Sequence, residues 1–74
     1  MTKLELAIQS IEWKIERTEK EYREARAALT RELNNEEAIF RPVFVKQYAD
    51  RMDEAYKKLL SLNEQLETLK RLAE

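Results

Sequence analysis

The chain has 74 residues, with no Gly, no Cys, no His and a single Pro, and 39% of its side chains are charged. That composition excludes a disulfide framework, zinc sites of the usual kinds, a thiol nucleophile and a glycine-rich phosphate loop. With 14 basic and 15 acidic residues the net charge is −1, which gives no overall attraction to nucleic acid or to an anionic membrane.

The N-terminus opens with a capping box. Thr2 is followed three residues later by Glu5, so each side chain can satisfy an orphan amide of a first helical turn. From Leu4, alternate steps of four and three residues reach Ile8, Ile11, Ile15, Thr18, Tyr22, Ala25 and Leu29. Only Thr18 is polar. A 3.5-residue repeat sustained this long keeps one stripe of a helix against a partner, as in a coiled coil. On the opposite face of the same helix stand Leu6 and Trp13, seven residues apart. A large aromatic there is costly to leave wet, and Trp is the residue type most enriched at binding hot spots. Lys14, Arg17, Lys20, Arg23 and Arg26 form the most basic strip. They drift around the helix with Glu16, Glu19, Glu21 and Glu24 among them, whereas a nucleic-acid track needs uncompensated charge.

Asn34-Asn35 ends the first helix, because Asn tolerates the conformation that terminates helices. Helix one is therefore expected over about residues 2–34, a connection over about 35–42 and helix two over about 43–73. Asn35-Glu36-Glu37 has the composition to cap a short extra turn through Phe40, and Pro42 suits the first turn of the second helix. The tip from Ile39 to Val45 carries five apolar side chains, among them Phe40 and Phe44. It reads first as a hydrophobic plug at the end of a bundle and second as a docking tip.

A second walk starts at Val45 and reaches Tyr48, Met52, Ala55, Leu59, Leu62, Leu66, Leu69 and Ala73, with no polar exception. Equal helices joined by a short connection favour an antiparallel hairpin, with Ile15 near Leu62 and Leu4 near Leu72 and Ala73. Thr18, Tyr22, Met52, Ala55 and Tyr56 cluster at mid-length; large-to-small packing that sets the register is the first reading, and a pocket left by the small residues facing Tyr and Met is the second. Acid-then-base pairs four apart, including Glu16–Lys20, Glu19–Arg23, Asp53–Lys57, Glu54–Lys58 and Glu67–Arg71, mark solvated faces.

The expected fold is all-α: one domain, a long antiparallel helical hairpin. Two helices alone bury too little to offset chain entropy. Further apolar residues flank the stripes, with Leu33, Ala49 and Tyr56 on one side and Ala7, Ala28, Phe44 and Leu72 on the other. A homodimer of hairpins, a four-helix bundle held by the stripe residues, is the expected assembly, and a heteromeric bundle in which another protein supplies the missing helices is the alternative. No apolar run reaches the roughly 20 residues of a membrane span, and a cytoplasmic setting is expected. Ser10, Thr18 and Ser61 have no basic partner to activate them, so no enzyme, cofactor or metal is expected. The function read from these residues is a protein-interaction or adaptor module. Trp13 and Leu6 are its anchors, with Leu60, Phe40 and Phe44 as further apolar contacts. The alternatives are a small RNA- or DNA-binding bundle using the Lys14–Arg26 strip, or a structural assembly subunit.

Overall fold

The computed structural model describes residues 2–34 and 42–74, and all of these except Thr2 and Glu74 are α-helical. Helix α1 spans Lys3–Asn34 and helix α2 spans Pro42–Ala73, 32 residues each. They pack against each other as an all-α helical hairpin. At 1.5 Å per residue each helix is about 48 Å long, and the molecule measures 55 × 17 × 14 Å.

The local reasons for these boundaries are visible. The Glu5 amide donates to Thr2 Oγ1 at 3.1 Å, and the Leu6 amide donates to the Thr2 carbonyl, also at 3.1 Å. Thr2 is thus the N-cap of α1, and one arm of the expected box is formed. Pro42 opens α2, where its missing N–H would have had no intrahelical acceptor. Arg31 lies in the last turn of α1, and Lys70 and Arg71 in that of α2, each cation facing the negative end of its helix dipole. The expected cap at Asn35–Glu37 and the extra turn through Phe40 lie outside the described residues.

Both apolar walks become the seam. Every step from Leu4 to Leu29, and every step from Val45 to Leu69, is buried or half-buried. Ala73 is exposed, because it is the last helical residue and no further turn covers it. Thr18, the polar step, is buried in the stripe with its hydroxyl paired. Its Oγ1 donates to the Lys14 carbonyl at 2.7 Å, so the hydroxyl is satisfied within its own helix and the methyl is left to pack.

The seam is shallow. Among the described residues only Thr18, Ala25 and Ala55 are buried, at 4–7% exposure, and no large side chain is fully enclosed. Its Ile, Leu, Met and Tyr residues all keep part of their surface in water. The chain exposes 6174 Å². A compact monomer of this mass is expected to expose about 4,800 Å². A single hairpin leaves a large excess of surface that further packing can cover.

Candidate interaction surfaces

The first surface is the back of α1. Helical periodicity places Leu6 and Trp13 opposite the seam, where α2 cannot reach them, and both are more than half exposed, Trp13 at 59%. The Arg17 guanidinium lies over the Trp13 ring, 5.6 Å from its centroid, which shields one face of the indole. A groove of about 390 Å³ beside Trp13 is lined by Glu16, Arg17, Lys20 and Arg23, all from α1. Leu60 is also half exposed, but it belongs to α2 and lies outside this groove.

The same geometry divides the basic strip. Arg17, Lys20 and Arg23 border Trp13, Lys14 joins Arg17 in a different groove, and Arg26 lines neither. Arg17 Nε also lies 3.8 Å from Glu21 Oε1, an exposed pair in base-then-acid order that contributes little. The five cations therefore do not make one track.

The second surface is one flank of the seam. Two adjoining grooves open there, of about 240 and 380 Å³. Glu21 and Lys58 border both, Ala25 and Ala55 floor the first, and Thr18 and Leu62 floor the second. Small seam residues create the depression: an Ala or Thr at a stripe position leaves a hollow between helices that Leu would fill. As α1 runs from Lys14 to Ala25 along these grooves, α2 runs back from Leu62 to Arg51, which is the antiparallel sense. The mid-seam small residues were expected first to set register and second to leave a pocket; grooves do open beside Thr18 and Ala55, and the flank on which they open is what periodicity alone did not specify.

The third surface is the described part of the tip. Val45 turns into the seam, Val43 is exposed, and Phe44 lies between them at 38% exposure. Phe40 lies outside the described residues.

The rest of α2 is occupied with itself. Lys57 Nζ meets Asp53 Oδ2 at 2.9 Å, and Arg71 Nη2 meets Glu67 Oε1 at 2.7 Å, two of the expected acid-then-base pairs. The hydrogen bond and charge of Asp53 hold the Lys57 ammonium above the ordinary lysine range. Asn63 Nδ2 donates to the Leu59 carbonyl, Thr68 Oγ1 to the Glu64 carbonyl, and Gln65 Nε2 to Ser61 Oγ. Among the described residues no helix is long and apolar enough to cross a membrane, and no cluster of three or more acidic side chains is arranged to hold a metal ion. No protein-family model matches the chain, and no curated protein or solved structure shows significant similarity to it.

Proposed function

We propose that this chain is a non-enzymatic protein-interaction module, a helical hairpin that pairs with a second copy and offers the back of α1 to a protein partner. The observation that carries this reading is Trp13. It is 59% exposed on a face the hairpin cannot cover, beside Leu6 one heptad away. A partner that buried the pair would gain apolar area together with the indole N–H as a polar handle. Leu60, Phe44 and Phe40 are secondary contacts in this reading. Trp13→Glu is expected to keep the helicity and the oligomer mass while abolishing affinity capture of the partner from source lysate. Loss of oligomer mass in that variant would move Trp13 into the self-interface and end the docking role. The single Trp also makes its emission a direct reporter, expected to shift to the blue when the partner binds.

One observation favours a second reading. Arg17, Lys20 and Arg23 border the same groove as Trp13, and an aromatic among cations is the composition of a single-strand stacking platform. A mobility-shift titration at low salt decides it, because no shift at tens of micromolar protein removes nucleic acid as the ligand. A purely structural assembly subunit is distinguished by growth beyond the dimer in light scattering.

A further inference from the structure

We infer that a second copy covers the flank opposite the grooves and lies antiparallel, with Tyr56 and Leu60 of the two hairpins meeting across a two-fold axis at mid-length. This rests on the proposed pairing of two hairpins and names its surface and direction. It makes Leu60 a self-contact instead of a contact to the other protein.

The flank follows from where the exposed apolar side chains stand. Lys14 and Glu21 of α1 share the grooved flank with Arg51 and Lys58 of α2. Residues one step past the stripe on the other side, Glu12, Glu19 and Arg26 on α1 and Tyr56 on α2, therefore share the opposite flank. Glu16, Arg23 and Leu60 lie one turn on from Glu12, Glu19 and Tyr56, on that same side. Tyr56 and Leu60 are 53 and 50% exposed, and they straddle the middle of a helix that spans Pro42–Ala73. The grooved flank is rimmed at mid-length by charged side chains, and its exposed large apolar residues, Phe44 and Leu72, stand at its two ends. A two-fold interface meets itself at its axis. Among the described residues, the ungrooved flank is the one that raises large apolar side chains there.

The direction follows helix by helix. An axis perpendicular to the helices lays α1 on α1 and α2 on α2, each running against its copy. On this flank α1 reads Glu12, Glu16, Glu19, Arg23, Arg26, acidic toward the chain ends and basic toward the tip. Laid on its reversed copy, Glu12 meets Arg26 and Glu16 meets Arg23, each in both directions. Glu19 alone faces itself. On α2 the same operation sets Tyr56 on Leu60, also in both directions. The midpoint of Glu16 and Arg23 falls between Glu19 and Lys20, and that of Tyr56 and Leu60 falls on Lys58. Glu21 and Lys58 border both grooves together, so the two midpoints are level to within about half a turn. The ion pairs of one helix and the apolar pair of the other thus call for one axis. A parallel pair on this flank lays α1 on α2 instead, which sets Tyr56 and Leu60 against the carboxylates of Glu16 and Glu19. Trp13 lies on the back of α1, outside this contact, and stays open to another protein.

Sedimentation tests the flank and spin-label distances test the direction. Leu60→Glu should turn a wild-type dimer into a monomer, with helicity by circular dichroism kept because Leu60 lies outside the seam. Lys58→Glu, on the grooved flank, should pair like wild type. Arg23→Glu should weaken pairing by about tenfold or more, since like charges then meet across the axis. Adding Glu16→Arg to that chain should restore most of the loss, and this pair of variants decides the flank if Leu60→Glu loses helix. The chain has no Cys of its own, so Lys3→Cys carries a single nitroxide label. Two labels at opposite poles should lie about 50 Å apart in the dimer. A separation below about 25 Å, with the poles together, overturns the antiparallel direction. Undiminished pairing in Leu60→Glu, or no rescue by Glu16→Arg, overturns this flank and leaves pairing through another face intact. A wild-type chain that stays monomeric at several hundred micromolar removes the pairing itself, and with it that part of the proposed function.

Discussion

The two helices share a length and a seam and differ on the side turned away from it. Every seventh residue on the back of α1 reads Leu6, Trp13, Lys20, Ala27, whereas the back of α2, beyond Val43 in its first turn, reads Asp50, Lys57, Glu64, Arg71. The α2 row alternates in sign, and neighbouring positions close ion pairs across single turns at Asp53–Lys57 and Glu67–Arg71. It is the row expected of a helix whose outer face meets only water. The α1 row serves no such purpose. Leu6 and Trp13 add nothing to the seam, and they keep more than half their surface exposed. Two helices under the same packing demand therefore show which residues the hairpin needs. What remains on α1 after that subtraction is the candidate for binding.

That contrast can be broken most severely by removing what the helices share. Ile15→Asp puts an unpaired carboxylate into the half-buried seam, and a loss of more than about 3 kcal/mol should follow. Circular dichroism should show both helices melting together, since neither back face can hold a helix without the seam. Survival of one helix alone would mean that the two do not depend on each other.

Next in size is the comparison of the back faces themselves. Trp13→Ala should weaken partner binding by about 30-fold or more, in the range of a hot-spot residue. Glu64→Lys on α2 should leave binding within about two-fold, as peripheral contacts do. Equal effects in a titration would erase the distinction between the helices.

Smaller effects sharpen the account of how each helix is built. Thr2→Ala removes the cap of α1 and should destabilise the fold by about 1 kcal/mol, with the first turn losing amide-exchange protection before the rest. Thr18→Val removes the back-bonded hydroxyl while the Lys14 carbonyl keeps its backbone partner. A gain of about 0.5 kcal/mol is expected, read as a higher midpoint in urea. The smallest effect is on α2 in alkali. Because Asp53 raises the Lys57 pKa, their pairing contributes fully below the ordinary lysine value and is lost as pH rises through the raised one. Helicity should be flat from about pH 6 to 9, since the chain lacks His and Cys, and the pair's contribution should fade only above the lysine range.

The fold was legible because its determinants are periodic and local. The walks from Leu4 and Val45, the Thr2 cap and the placing of Pro42 all depend on spacing, and spacing is what a sequence displays. The surfaces were legible only in part. Trp13 stands out by residue type, but Arg17 covering one face of its ring depends on a rotamer. The hollow at Ala25 and Ala55 depends on which flank the inter-helix crossing leaves open, and apolar residues flank the stripe on both sides. The separation of Lys14 from Arg26, by contrast, was already legible in their spacing of three. A helix turns 100° per residue, so each step of three falls 60° short of a full turn, and the accumulated drift separates the ends of the strip onto different faces.

The antiparallel course of α1 and α2 has a mechanical consequence. Lys3 and Ala73 emerge at the same pole, so tension applied between them pulls the helices apart one seam layer at a time rather than shearing many layers together. Stretched by its two ends, the hairpin should open like a zipper, at low force and in a graded way. Pulled instead from one end and from the tip, it should resist far longer, because the load then runs along the grain of the seam.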